Sequence, residues 1–307
     1  MWKIIEEQNW DHIRDQFSWI RDMEQVPQDK YYHAEGNVAI HTQMVVDALL
    51  ALPEYQALPE QDQQLLFAAA LLHDVEKRST TKLEPDGRIS PPGHARKGEY
   101  TARTILYREI PTPFLCREAV AKLVRYHGLP IWVLEKPDPQ KALLKAATEV
   151  NTHHLAILAK ADLLGRICSD QQELLYLVEL FQEFCLEQTC LGHQPNFPSH
   201  LGRYIYFQKE ESHRDYLPFE GKHFEVILLS GLPGSGKDYF IEKNHPDTPI
   251  VSLDALRRKH KISPANKKQN GFVGQLAKEE AKVFLRKKQS FVWNATNLTR
   301  KMRSQLI

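Results

Sequence analysis

The sequence predicts a multidomain chain: an all-α helical bundle, then a short α/β domain built on a parallel sheet. Three observations carry this. Apolar residues recur at helical spacing through the first 190 residues. From His223 onward they gather instead into short continuous runs with helical segments between them, the texture of buried parallel strands. The charge changes in the same region. Residues 1–218 carry 23 Lys and Arg against 31 Asp and Glu, and residues 219–307 carry 17 against 8. At 307 residues the chain is long enough for two cores. The expected boundaries are a first domain at 1–190, a linker at 191–221 and a second domain at 222–307.

The elements follow in order. "MWKIIEEQNWDHIRD" is charged and amphipathic and lacks the basic start and apolar centre of a signal peptide. No run of about 18 apolar residues predicts a transmembrane span. The four cysteines show no CxxC pairing. A cytoplasmic protein with reduced thiols and no membrane partner is expected. "EQDQQLLFAAALLHDVEK" reads as a helix opening at Pro59 and Glu60 and running through His73 and Asp74. "TKLEPDGRISPPGH" places a Pro-Asp-Gly turn between short extended pieces and predicts a hairpin-like excursion, with His94 in the loop after Gly93. "PFLCREAVAKLVRYHGLP", "HHLAILAKADLLGRICS" and "DQQELLYLVELFQEFCLEQ" are three further helices. "LGHQPNFPSHLGRY", rich in Gly, Pro and His, reads as linker. "HFEVILLSG", "TPIVSLD" and "SFVWNAT" are the three strands.

Histidines and aspartates recur in or beside the apolar helices: His33, His41, His73, Asp74, His94, His127 and Asp162. An unpaired charge there would cost several kcal/mol, so such groups are normally paired or bound to metal. Imidazole and carboxylate suit divalent transition ions. On a helix His73 and Asp74 would point roughly 100° apart, so the aspartate could bridge two ions while the histidine holds one. Lys77 and Arg166, each about one turn beyond an aspartate or histidine of the set, could face the same centre and meet a phosphate. Each residue also has a plainer reading. A lone buried histidine is commonly a hydrogen-bonded core residue, and of His33 and His41 only one need bind metal. Lys77 and Arg166 could be solvated helix ends.

"YYHAEGNVAIHTQMVVDALL", "LLHDVEKRSTTKLEPDGRISPPGHARKGEY", "LVRYHGLP" and "LAKADLLGR" together resemble the HD phosphohydrolase superfamily, above all the HD domains attached to tRNA CCA-adding enzymes. The likeness covers most of residues 30–170. It implies that His41, His73, Asp74 and Asp162 hold one ion and that Asp74 bridges to a second held by His94 and His127. His33 is left near the site, as a phosphate contact or alternative ligand. Glu76 stands where many relatives have glycine and is expected to face away. The chemistry implied is phosphoester hydrolysis by water activated at the ions, with Lys77 and Arg166 stabilising charge on the phosphoryl oxygens. Two divalent transition ions (Mn, Ni, Co, Cu, Fe or Zn) fit the mixed ligands better than Mg alone.

"GLPGSGKD" fits GxxxxGK and stands between a predicted strand and a predicted helix, as a P-loop must. Gly231, Gly234, Ser235, Gly236, Lys237 and Asp238 would surround the phosphates of ATP or another NTP. Asp238 takes the place where Ser or Thr usually contacts Mg. It could reach the ion or merely favour the helix N-terminus. "SLDALRRK" resembles the Asp-x-x-Arg acceptor motif of polynucleotide kinases. That implies Asp254 as general base on a 5′-hydroxyl and Arg257 as a contact to the acceptor strand. Without the P-loop, Asp254 would read as a helix cap. Asn294 and Asn297 could order the nucleotide site. Kinases of this class run to about 150 residues, and the lid and adenine loop are not seen here. A truncated kinase domain that phosphorylates poorly or not at all is expected.

The combination resembles the HD-Pnk family of bacterial RNA end-healing enzymes. The resemblance implies an HD module that removes 2′,3′-cyclic, 2′- or 3′-phosphates, a 5′-kinase module, RNA ends (possibly DNA ends) as partners, and an RNA ligase acting next. Two other classes stay open: a nucleotide phosphohydrolase fused to a small-metabolite kinase, and a regulatory HD protein that senses a nucleotide.

Overall fold

The computed structural model describes residues 1–219, 221 and 224–306. Four expected positions lie outside them: Glu220 in the linker, Lys222 at the domain start, His223 at the strand start and Ile307 at the chain end. The chain forms two compact units, Met1–Leu217 and Pro218–Ile307. Among the described residues no helix is long and apolar enough to cross a membrane.

The first unit is a helical bundle. Its central helix, Glu60–Leu72, starts on Pro59 and is buried all round from Leu65 to Leu72. Side chains such as Leu66 and Leu71, fully withdrawn from water, each contribute about 1.5–3 kcal/mol. Around it pack helices Val38–Ala51, Phe114–Tyr126 and Thr152–Leu164. Side chains fix their starts. Asn37 accepts from the Ile40 amide, and Asn151 accepts from the His153 and His154 amides. Helix His94–Arg108 packs along Phe114–Tyr126. The predicted hairpin is present as β1 (Lys82–Leu83) and β2 (Ile89–Ser90), antiparallel.

Three expectations change here. The helix carrying "LLHDVEK" stops at Leu72. His73 is its C-cap, residues 73–76 turn, and a short helix Lys77–Thr80 follows. His94 opens a helix rather than sitting in a loop. The stretch read as linker, 191–221, holds helix His200–Gln208, and residues up to Leu217 belong to the first unit. Tyr206 is buried in the same core as Cys185 and Cys190, and Arg214 donates to the Gln188 and Asn196 carbonyls. Composition hid this because a Gly- and Pro-rich stretch can still present one aromatic face to a core.

The second unit carries a three-stranded parallel sheet of order β3–β5–β4: β3 Val226–Leu228, β4 Ile250–Ser252, β5 Phe291–Asn294. Trp293, in the middle strand, stands opposite Leu228 and Val251. Helix Lys267–Arg286, capped by Asn266, lays Ala277 and Ala281 into this small core. Parallel register puts all three strand ends, and the loops after them, at one edge, where α/β folds gather their ligand groups.

Candidate metal centre and phosphate-binding loop

The bundle brings together side chains scattered over 130 residues of sequence. His41 sits in the first turn of Val38–Ala51, and Asp162 in the last turn of Thr152–Leu164. His73 and His127 are the C-caps of two apolar helices, while His94 begins the helix antiparallel to the one His127 ends. Three groups of potential ligands result: His41, His73 and Asp162; Asp74, His94 and His127; and His33, Glu35 and His41.

Asp74 joins the first two groups. Its Oδ2 lies 3.3 Å from His73 Nε2 and 3.6 Å from His41 Nε2. Its Oδ1 lies 3.4 Å from His94 Nε2 and 3.8 Å from His127 Nε2, is buried, and receives no hydrogen bond. His41 Nε2 is 3.1 Å from Asp162 Oδ1. The Nε2 atoms of His41 and His73 approach to 3.4 Å, those of His94 and His127 to 3.3 Å.

The other nitrogen of each ring decides what these contacts mean. His73 Nδ1 donates to the Ala70 carbonyl (2.7 Å), His94 Nδ1 to Pro91 (2.8 Å) and His127 Nδ1 to Val124 (2.8 Å). His41 Nδ1 donates to the Gly165 carbonyl (3.2 Å) and Glu35 Oε1 (2.9 Å). The proton therefore belongs on Nδ1, and every Nε2 turns a lone pair inward. Lone pairs facing lone pairs and carboxylate oxygens at 3.1–3.8 Å repel unless a cation lies among them. The donor set thus fits divalent ions, which take neutral imidazoles and ionised carboxylates. Burial works against a charge on His73, but Asp74 and Asp162 outweigh it and raise that ring, so an ion there would displace a proton. Burial, reinforced by His94 and His73, pushes His127 down to about 3. Burial also lowers His94. Asp74 and Asp162 suffer burial too, but Lys77 and Arg166 with the nearby histidines hold both well below the usual carboxylate range.

Lys77 Nζ donates to Asp74 Oδ2 (2.7 Å) and Arg166 Nη2 to Asp162 Oδ1 (3.0 Å). Both cations lie at the centre, Lys77 among the buried residues. His33 belongs only to the group with Glu35 and His41. Its Nδ1 donates to Glu35 (2.8 Å), and burial pushes it down to about 4. Glu76 makes its contacts elsewhere, with Ser79, Lys97 and Thr101. It is buried, so its place in the turn is structural rather than idle.

Sequence reasoning missed Glu35 and Gln28. The fully shielded Glu35 carboxylate accepts from His33, His41 and the Ile167 amide. Gln28 donates to Glu35 and accepts from Lys77 Nζ (2.8 Å). They extend the centre into the loop before Val38. No periodic pattern marks that loop; the spacing of His33 and Glu35 was the one available hint.

In the second unit the loop after β3 leads into helix Lys237–Asn244. Gly234 (φ 76°) and Gly236 (φ 82°) adopt the left-handed backbone that a side chain would strain, which turns the loop tightly enough to form a cradle. Lys237 Nζ donates to the Gly231 and Leu232 carbonyls (3.0 and 2.7 Å). Asn294, at the end of β5, donates to Asp238 Oδ1 (2.7 Å), and Asn297 to the Leu229 carbonyl (2.7 Å). Asp238 stands in the first helical turn, where its carboxylate favours the helix N-terminus. The helix after β4 is capped by Ser252, not Asp254. Asp254 is exposed and ion-paired with Arg257, whose Nε donates to Asn270.

The HD domain family matches residues 38–167 and the AAA domain family matches residues 226–307. A comparison with curated proteins gives no match. The two matched segments fall one in each compact unit, and the phosphate loop and the clustered histidines other than His33 lie within them. The chain is a fusion of a helical HD domain, carrying residues able to bind divalent metal, with a P-loop, kinase-like AAA domain.

Proposed function

We propose that the protein heals RNA ends. Its HD unit removes 2′,3′-cyclic, 2′- or 3′-phosphate, leaving ends for an RNA ligase, and its P-loop unit is a 5′-kinase module, with ATP or another NTP as donor, from which little or no turnover is expected. One observation carries the hydrolytic half: the two oxygens of a single buried aspartate each face their own set of inward-turned imidazoles. His41, His73, Asp74 and Asp162 would hold one ion, and Asp74, His94 and His127 a second. The ions, when bound, supply Lewis acidity that lowers the pKa of water and polarises phosphoryl oxygens. The chain's own groups do the rest. Lys77 and Arg166 place positive charge beside the centre for the phosphoryl oxygens. His33, neutral and fixed through Nδ1, keeps an Nε2 lone pair that suits an ion, as an alternative ligand, rather than a phosphate oxygen. In the P-loop unit Lys237 must leave the loop carbonyls to meet outer phosphates, and Asp254 must part from Arg257 to take a hydroxyl proton. The adjacency of Asp254 and Arg257 behind a phosphate loop, and the basic C-terminal balance, favour a polynucleotide acceptor.

The test is phosphate release from RNA oligonucleotides ending in 2′,3′-cyclic, 2′- or 3′-phosphate, against free nucleotides, with added Mn, Ni, Co or Zn. RNA ends should be processed faster, and Asp74→Ala should lose both bound metal and activity. Faster turnover of free nucleotides, or an active Asp74→Ala protein without metal, overturns the proposal.

A further inference from the structure

Between the chain segments that lead into His33 and into His94 lies a cavity of about 630 Å³ lined by Asp29, Tyr32, Glu84, Arg88, Ile89 and Pro91 among others. One wall is the loop that leads into His33, the other the β1–β2 hairpin that leads into His94. The Asp29 carboxylate pins the walls together: Oδ1 accepts from the Tyr31 amide (2.9 Å) and Oδ2 from the Ile89 amide (3.0 Å). The Asp29 carbonyl accepts from the His33 amide (2.8 Å), and the Pro91 carbonyl from His94 Nδ1 (2.8 Å). The cavity is thus built onto two residues of the centre through backbone bonds.

Its chemistry is not that of a phosphate site. Asp29, Glu84 and Asp86 bring three carboxylates, while the one guanidinium, Arg88, is engaged by Asp86 (2.7 Å). A second phosphate would be repelled. Ile89, Pro85 and Pro91 offer apolar surface. Tyr32 is 42 % exposed and meets Tyr31 at a near-perpendicular angle with ring centroids 4.8 Å apart. A flat, uncharged group with N–H donors on its edge suits these walls: a nucleobase.

We propose that this cavity receives the base of the nucleotide whose phosphate is removed, with Tyr32 as its stacking partner. The inference rests on the phosphohydrolase reading above and names what that site recognises beyond phosphate. Base stacking on an aromatic side chain is typically worth about tenfold or more in affinity.

The experiment compares 3′-phosphorylated oligoribonucleotides ending in a normal nucleotide or an abasic ribose, on the metal-loaded full chain. Wild type should favour the base-bearing end about tenfold or more in kcat/KM. Tyr32→Ala should bring the ratio close to one, and Tyr32→Phe should keep it. A wild-type ratio near one, or a Tyr32→Ala ratio equal to wild type, overturns the proposal. Calorimetric binding of adenosine 3′-phosphate against ribose 5-phosphate reads the same preference without turnover. RNA ends that are not substrates, with that binding preference intact and lost in Tyr32→Ala, would refute the end-healing reading and leave the base cavity standing.

Discussion

Glu35 shows what one residue outside a motif can govern. It accepts from two imidazole Nδ1 groups at once and so sets the direction of His41 and His33 together. Partners of this kind typically account for 10–100-fold in metal affinity. Glu35→Ala should weaken binding of Mn or Zn by about that factor in calorimetric titration. Glu35→Gln, which keeps an acceptor oxygen, should lose less. Equal affinity in wild type and Glu35→Ala would rule the role out. The ligand types themselves were legible in the sequence, because His-Asp pairs at the ends of apolar helices need a partner. Their grouping was not. Nothing in the letters shows that His94 and His127 stand 3.3 Å apart, since that depends on two helices running antiparallel. The assumption that His73 and Asp74 shared one helix failed for a related reason. The apolar run continues to Val75, but the backbone turns at residue 73 to aim both side chains inward.

Elements meet where small residues allow it. At Gly165 a Cβ would lie 2.5 Å from the Val45 backbone nitrogen, so the end of helix Thr152–Leu164 rests directly on helix Val38–Ala51. The same contact delivers the Gly165 carbonyl to His41. Gly165→Ala should cost about 1–3 kcal/mol in urea unfolding, as overpacking does, and should weaken metal binding as well. A second junction is ionic. Glu99 on helix His94–Arg108 meets Arg103 and Lys122, and Arg103 also meets Glu118. Burial alone would raise Glu99, but Lys122 and Arg103 outweigh it and hold its carboxyl below the ordinary value. A depressed carboxylate stabilises the fold above its unfolded pKa, and that contribution fades as pH falls through the folded one. Glu99→Gln should therefore melt lower than wild type at pH 7, with the gap closing below about pH 4. A gap that persists in acid would exclude the charge as its cause. Helix positions were readable from period and caps. The helix His200–Gln208 was not, since a proline-rich setting obscured its aromatic face.

At the scale of the whole molecule the two units answer to different ligands. An ion bound at 100 times its Kd stabilises the state that binds it by about 2.7 kcal/mol. Metal addition should slow hydrogen exchange around residues 29–41, 70–77, 91–94, 124–127 and 161–166. A nucleotide should protect 230–238 instead. Protection by metal confined to 226–306 would contradict the assignment of the two sites. The order of domains and the parallel sheet were both foreseeable from texture and charge. The strand order β3–β5–β4 was beyond reach, because pairing depends on how the crossovers pack. The backbone carbonyls that hold His73, His94 and His127 carry one more implication. Rings anchored before any ion arrives need no rearrangement to accept one, so exchange between ions should be quick. His73 serves one ion and His94 with His127 the other, and for such imidazole and carboxylate donors affinity would follow the Irving–Williams series. Which element the enzyme uses in life would be decided by the supply around it.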